Sequence, residues 1–123
     1  RLDSMDMVVR NEAIQRNVWE KIQKASDEVY ITSSIRNLVE IANRNAGKKA
    51  GLVFFTELLG LKREETAAFG DADNDIDMIR YAGCGIAMAN ASKACKEAAD
   101  YITGHHDEDG VADGIRNILK LIP

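Results

Sequence analysis

The stretch AAFGDADNDIDMI, residues 67–79, decides the fold of this 123-residue chain. Its first four residues form an apolar run, and the next seven contain four aspartates and one asparagine. A short apolar run that leads into a helical pattern is typical of a strand in a parallel sheet. Ligands of such sheets bind outside the carboxyl ends of the strands, so we expect the aspartates to lie at a ligand site.

Short β-type runs alternate with helical patterns on both sides of this stretch. A helix at 48–59, which Gly60 would end as a C-terminal glycine, precedes it. The remaining pattern predicts strands at 66–69, 85–88 and 100–103 and helices at 74–81, 92–98 and 111–121. This order predicts an α/β fold in which helices cover a parallel sheet.

The first part of the chain carries a different pattern. Apolar residues at helical spacing predict an amphipathic helix at 11–26, and two β-rich runs at 28–34 and 37–42 predict a hairpin. A polar segment follows at 43–47. We therefore expect a domain boundary there, with residues 1–44 in one domain and 45–123 in another.

The composition argues against nucleic acid and a membrane as partners. The formal net charge of −4 provides no basic field for nucleic acid, and no apolar run is long enough for a membrane span. Cys84 and Cys95 lack C-x-x-C spacing, which favours free thiols in a reducing cytoplasm over a disulfide or a metal role. We expect a cytoplasmic protein whose ligand is a small molecule.

The aspartates after the strand are the candidate metal ligands. Carboxylate oxygens suit a hard cation such as Mg²⁺, which keeps several waters and uses few protein carboxylates. Asp71 comes first after the strand and would bind the ion directly, whereas Asp75, one helical turn later, would hold a metal-bound water. Asn74 lies near the helix start and would offer its amide to a phosphate.

Two other interpretations of the aspartates are an EF-hand loop and simple helix capping. An EF-hand loop fails because Ile76 replaces the glycine of its sixth position and Ala82 replaces the glutamate of its twelfth. Simple helix capping stays open, since acidic side chains are favoured at a helix N-terminus. This interpretation is strongest for Asp73 and Asp77, which we expect to be exposed.

Two adjacent histidines, His105 and His106, lie in a polar loop. They have neither the i, i+4 spacing of a helical histidine pair nor a cysteine partner. The sequence therefore favours solvated loop histidines over a metal site.

Several blocks occur in the order found in one known family. They are GDADND at 70–75, GIAMANA at 85–91, AADYIT at 98–103 and DGV at 109–111. In this order the chain resembles the C-terminal half of a Cof-type, sugar-phosphatase-like member of the haloacid dehalogenase (HAD) superfamily. The resemblance implies a Rossmann-like core with the last part of an α+β cap, and a Mg²⁺-dependent phosphatase of small phosphorylated metabolites such as sugar phosphates.

The resemblance also implies roles for individual residues. It makes Asp71 and Asp75 the metal-site residues and Asn74 a phosphate or substrate contact. Lys48 matches the family's phosphate-binding lysine, which would neutralise the transferring phosphoryl group. The family usually has glycine at the position of Lys49, so the sequence leaves open which of the two lysines faces the site.

Other positions depart from the family. The nucleophile motif D-x-D-G-T is missing, because the segment at 3–6 lacks its spacing. We expect a fragment that is inactive alone and whose incomplete sheet exposes apolar surface, leading to a homodimer or to association with the missing N-terminal half. The alternative is a non-catalytic HAD-like module that binds Mg²⁺ or a partner protein. Ala89 stands where the family commonly has glycine, so Asn90 is assigned a supporting role.

Overall fold

The computed structural model describes residues 4–123. The first three residues lie outside the described part, including Asp3 and the start of the predicted first domain. The described chain contains two three-stranded sheets, one antiparallel and one parallel. None of the described helices has the length and apolar character needed to cross a membrane.

The antiparallel sheet is formed by the N-terminal part of the chain. Its strands are β1 (Ser4–Val8), β2 (Val29–Thr32) and β3 (Leu38–Asn43), in the order β1-β3-β2. The predicted hairpin of β2 and β3 is confirmed. The sequence did not predict β1, because its residues SMDMV are mostly exposed and include serine and aspartate, which have weak strand preference.

Helix α1 (Glu12–Ala25) connects β1 to β2. It begins where the Asn11 side chain accepts a hydrogen bond from the backbone N–H of Ile14 at 3.0 Å. Gln15 on this helix donates its side-chain amide to the backbone oxygen of Leu38 at 2.7 Å. The helix is therefore fixed against β3, and the predicted amphipathic helix is confirmed.

The parallel sheet is formed by the second part of the chain. Its strands β4 (Ala67–Gly70), β5 (Cys84–Ala87) and β6 (Tyr101–Ile102) are neighbours in that order. Helices α3 (Ile76–Tyr81) and α4 (Lys93–Ala98) connect them, and α2 (Lys48–Leu58) precedes β4. The predicted α/β fold with a parallel sheet is thus confirmed.

Glycines mark the points at which two helices of this second part end or change. Gly60 has a φ of 64° after α2, and its N–H bonds to Glu57 O at 3.1 Å while Leu61 N–H bonds to Thr56 O at 2.9 Å, which is a Schellman motif. The predicted helix at 111–121 is wrong in extent. Helix α5 (Gly110–Asp113) passes into a π-helical turn (Gly114–Ile118), consistent with the low helix propensity of glycine.

The buried core of the second part lies between β5 and its two neighbouring helices. Ile79, Ile86, Ala87 and Cys95 are 1% exposed or less. Both cysteines are free thiols, as predicted. Burial and then the charges of the nearby aspartates raise the pKa of the Cys95 thiol to about 11, so this thiol stays protonated at neutral pH.

Part of the apolar surface is uncovered. Within residues 4–123, β4 pairs only with β5, so its other edge has no neighbouring strand. On α2 and the residue after it, large apolar side chains are 58–65% exposed: Phe54, Phe55, Leu58 and Leu59. We call these four residues the α2 apolar patch. The association of this surface with a second copy of the chain or with the missing N-terminal half stays a prediction.

Candidate functional site

The acidic loop, residues 71–75, follows the carboxyl end of β4, as the sequence predicts. Its last three residues form a 3-10 turn (Asp73–Asp75) that leads into α3. The loop requires glycine at position 70, because a Cβ on Gly70 would lie 2.4 Å from the Cβ of Asp75. The end of the strand and the side chain of Asp75 therefore pack against each other directly.

Asp75 is the buried centre of this loop and is only 3% exposed. Its Oδ2 accepts hydrogen bonds from the backbone N–H groups of Asp71 at 2.9 Å and Ala72 at 3.1 Å, and its Oδ1 contacts the ammonium of Lys48. Burial disfavours the charged carboxylate, but the hydrogen bonds from Lys48 and the two amides outweigh it, so the pKa of Asp75 lies below its usual value. Both carboxylate oxygens of Asp75 therefore already accept hydrogen bonds.

The two lysines at the start of α2 point to different partners. Lys48 forms an ion pair with Asp75, and its side chain is 50% exposed. Lys49 instead places its Nζ 5.7 Å from the centroid of the Tyr81 ring, a cation–π distance. Lys48 is therefore the lysine that the fold brings to the acidic loop. Its phosphate-binding role stays a prediction.

Asp71 is exposed and lies beside the loop that follows β5. Its Oδ2 accepts a hydrogen bond from Nδ2 of Asn90 at 3.1 Å, and its backbone oxygen accepts from the N–H of Ser92 at 2.9 Å. Within the described part of the chain, the second carboxylate oxygen of Asp71 accepts no hydrogen bond. That oxygen is free to bind a ligand.

Asp73 and Asp77 are exposed, but their surroundings differ. Oδ1 of Asp73 accepts a 2.6 Å hydrogen bond from the hydroxyl of Ser92, which also caps α4 by accepting from the N–H of Cys95. The sequence carried one signal for Ser92, because serine at the start of a helical pattern, here the predicted helix at 92–98, is a typical N-cap. Asp73 therefore belongs to the site region, whereas Asp77 lies on the side of α3 near Lys49.

A cleft of about 880 Å³ opens between the acidic loop and the antiparallel sheet's helix and hairpin loop. Asp71, Asp73 and Asn90 line one side of it. The opposite side carries charged and aromatic residues that sequence reasoning did not assign to the site: Glu12, Arg16, Trp19, Glu20 and Arg36. The sequence signal for the four charged residues was the polar face of α1 and the polar break in the hairpin. Trp19 belongs to the apolar stripe of the predicted helix, which indicated a core residue, but it lines the cleft. The approach of the two parts depends on tertiary structure.

Asn74 is not brought to this cleft. Neither Asn74 nor Lys48 is among the described residues that line it. The Oδ1 atom of Asn74 is buried and has no hydrogen-bond partner within residues 4–123. A phosphate contact by Asn74 therefore stays a prediction.

The donor set of the loop fits Mg²⁺. Asp71 offers a free carboxylate oxygen at a solvent-accessible cleft, and Asp73 provides a second exposed carboxylate nearby. Mg²⁺ prefers oxygen ligands, uses one or two carboxylates and retains waters. The oxygens of Asp75 already accept hydrogen bonds from Lys48 and the loop amides, so Asp75 is suited to shaping the site and not to binding the ion directly.

Known proteins are similar to this chain in sequence. A family model described as haloacid dehalogenase-like hydrolase matches residues 3–115. The Bacillus subtilis protein 5-amino-6-(5-phospho-D-ribitylamino)uracil phosphatase YcsE is 42% identical over 109 residues, which cover 89% of this chain and 43% of YcsE. Phosphoglycolate phosphatase 1 of Saccharolobus solfataricus is 37% identical over 105 residues, covering 79% of this chain and 46% of that protein.

Solved structures of haloacid dehalogenase-like hydrolases are similar to this chain in fold. A haloacid dehalogenase-like hydrolase from B. subtilis has a TM-score of 0.89 and 31% identity, covering 94% of this chain and 40% of the other. The HAD subclass IIB sugar phosphatase BT4131 has a TM-score of 0.84 and 30% identity, and the match covers 98% of this chain and 44% of BT4131. The chain therefore spans less than half the length of these relatives.

Proposed function

The chain belongs to the haloacid dehalogenase-like hydrolase family, and we propose that it supplies the metal-binding part of a Mg²⁺-dependent phosphatase of small phosphorylated metabolites. Three relatives support this class of substrate, since their names specify a ribitylamino-uracil phosphate, phosphoglycolate and a sugar phosphate. The volume of the cleft, about 880 Å³, falls in the range of roughly 300–1,000 Å³ that is usual for small-molecule sites.

One observation carries the proposal: Lys48, Asp75 and Asp71 meet at the carboxyl end of β4. Phosphoryl transfer develops negative charge on the phosphoryl oxygens, and preorganised cations stabilise that charge. Mg²⁺ bound at Asp71 would neutralise part of it. Lys48 does not line the cleft, but Asp75 holds its ammonium against the acidic loop that does, where it would contribute a second positive charge.

The proposal includes a nucleophile from outside these 123 residues. No D-x-D-G-T motif occurs in the sequence, and we expect the chain alone to show no turnover. The same absence supports a second candidate function, a non-catalytic module that binds Mg²⁺ or a partner protein. The two candidates differ in whether any natural polypeptide containing these residues hydrolyses phosphomonoesters.

The test measures phosphate release from p-nitrophenyl phosphate with and without Mg²⁺. It compares the 123-residue chain with the complete product of the coding region that contains it. We expect Mg²⁺-dependent turnover only by the complete product, lost on Asp71→Ala. A folded complete product without turnover would favour the non-catalytic module. Turnover by the 123-residue chain that Asp71→Ala abolishes would contradict its proposed dependence on an outside nucleophile.

We also propose that the chain divides into residues 1–44, part of a cap, and residues 45–123, part of a core. The division is supported by the strands, because β1, β2 and β3 pair only with each other among the described residues, as do β4, β5 and β6. Limited proteolysis should cut first within residues 43–47. First cleavage within β4 or β5 would contradict this boundary.

A further inference from the structure

The loop between β6 and α5 brings two imidazoles and a carboxylate together. His106, Asp107 and Glu108 form a 3-10 turn, and His105 precedes it as the N-cap. The two histidine rings are stacked, with centroids 4.5 Å apart and an interplanar angle of 29°. The sequence suggested solvated histidines here because it gave no indication that Asp107 would face both rings.

The donor atoms lie at separations that suit one metal ion. Nδ1 of His106 is 2.9 Å from Oδ1 of Asp107, and Nδ1 of His105 is 3.7 Å from Oδ2 of the same carboxylate. One ligand atom from each of the three residues lies within 4.8 Å of the others. Around an ion with bonds of about 2.0–2.2 Å, neighbouring ligand atoms are about 2.9–3.5 Å apart. The 2.9 Å separation already lies in this range, and the other pairs, which are up to 4.8 Å apart, must close by side-chain rotation.

We propose that His105, His106 and Asp107 bind a divalent transition-metal ion of the Zn²⁺, Co²⁺ or Ni²⁺ class. Imidazole nitrogens suit these borderline ions, whereas Mg²⁺ prefers the all-oxygen environment of the acidic loop. Three protein ligands leave further coordination positions for water. The proposal does not rest on the proposed phosphatase chemistry.

The backbone of the loop is already held in place. His106 donates its N–H to Oδ1 of Asn90 at 3.1 Å. The backbone oxygen of His105 accepts from the N–H groups of Glu108 at 3.0 Å and Gly110 at 3.1 Å. A loop with a fixed backbone loses less conformational entropy when an ion binds.

The ligand atoms are accessible from solvent. The side chains of His105, His106 and Asp107 are 39%, 53% and 72% exposed. Nδ1 of His105 accepts a 3.2 Å hydrogen bond from the N–H of Asp107, so its lone pair is directed at the backbone of Asp107. An ion would take the place of that N–H as the partner of the nitrogen.

Calorimetric titration of the 123-residue chain with Zn²⁺, in excess Mg²⁺ to saturate the acidic loop, tests the proposal. We expect saturable binding of one ion per chain. Loss of an outer-shell partner of a metal ligand already costs roughly 10- to 100-fold in affinity, so His105→Gln and His106→Gln should each weaken binding by about tenfold or more. Glu108→Gln, which removes a neighbouring carboxylate outside the cluster, should leave the affinity unchanged, as should Cys84→Ser.

A second measurement does not depend on comparing variants. The chain contains only two histidines, so their imidazole NMR signals are readily assigned. Addition of paramagnetic Co²⁺ in excess Mg²⁺ should shift or broaden both sets of ring signals at one equivalent. The proposal is overturned by an absence of saturable Zn²⁺ binding, by full affinity in both histidine variants, or by unaffected imidazole signals.

Discussion

Lys48 and Asp75 are in direct contact although 27 positions separate them in the sequence. The contact joins the first residue of α2 to the last residue of the 3-10 turn after β4. Because Asp75 also accepts two backbone N–H groups, one carboxylate determines both the shape of the acidic loop and the position of the lysine. Any change at Asp75 should therefore affect stability and the site together.

Asp75→Asn should destabilise the chain. An amide can accept from the loop N–H groups, but its NH₂ group would then face the ammonium of Lys48. Mismatched buried polar groups cost about 1–3 kcal/mol, so we expect the free energy of unfolding to fall by that amount. Urea denaturation followed by circular dichroism measures it. The matched control is Asp77→Asn, an exposed aspartate two positions away, and equal losses in both variants would contradict the role of Asp75.

Lys48→Met and Lys49→Met should have different effects. The hydrogen bond from Lys48 lowers the pKa of Asp75, so this pKa should rise in Lys48→Met and stay unchanged in Lys49→Met. NMR titration of the Asp75 carboxyl carbon measures the difference. In an active polypeptide, we expect kcat/KM to fall roughly 100-fold for Lys48→Met, as for loss of one preorganised charge-stabilising group. Equal effects of the two substitutions would contradict the assignment.

The contribution of Asp75 to stability should disappear in acid. Its pKa is lower in the folded chain than its ordinary value of 3.8, so the charged form stabilises the fold above that value. This contribution is lost as the pH falls through the lower, folded-state pKa. The difference in unfolding free energy between the wild-type chain and Asp75→Asn should therefore be constant near neutral pH and shrink in strong acid. A difference that grows on acidification would show that the pKa is raised instead.

Gly70→Ala and Gly51→Ala should change stability in opposite directions. A Cβ at Gly70 would lie 2.4 Å from the Cβ of Asp75, so strand or loop must shift, at a cost of about 1–3 kcal/mol. A Cβ at Gly51, inside α2, meets no atom within 4 Å and should stabilise the helix by about 0.5–1 kcal/mol. Urea midpoints of the two variants provide the measurement. A neutral Gly70→Ala substitution would contradict the close packing of β4 on Asp75.

The α2 apolar patch should cause the isolated chain to associate. Exposed apolar surface of this kind usually marks an interface, and the open edge of β4 adds unpaired backbone groups. In sedimentation velocity, Phe55→Ser with Leu59→Ser should lower the apparent mass. Val8→Ser is the control, since Val8 is 83% exposed but lies in the other sheet. A wild-type chain that is monomeric at all concentrations would contradict this prediction.

The sequence predicted the parts of the fold that depend on local pattern. The alternation from residue 66 onward predicted β4, β5 and β6, and Gly60 predicted the end of α2. It missed β1 because that strand has few β-forming residues, and it extended the last helix past Gly114, where the backbone widens into a π-helical turn. In these places the local signal was weak or was overridden by a glycine.

The sequence predicted the site residues that lie close together in the chain, but not the distant residues that the fold brings to them. The positions of Asp71 and Asp75 follow from the end of a strand and a spacing of four residues, although Asp75 ends a 3-10 turn and does not lie in the predicted helix at 74–81, because α3 begins at Ile76. The direction of Lys48 does not, because adjacent lysines have the same composition and only the packing of α2 separates them. Arg16 and Arg36 were missed for a similar reason, since they reach the cleft only when the two parts of the chain approach each other.

Asn90 joins the acidic loop and the histidine loop after β6 through the two polar atoms of its amide. Its Nδ2 donates to Asp71, and its Oδ1 accepts from the N–H of His106. Neither aspartate nor leucine can replace it, because only a carboxamide of this length carries a donor and an acceptor side by side. If an ion at the histidines shifts that N–H, the affinity of Asp71 for a cation changes, and thermodynamic reciprocity requires an equal effect in the other direction.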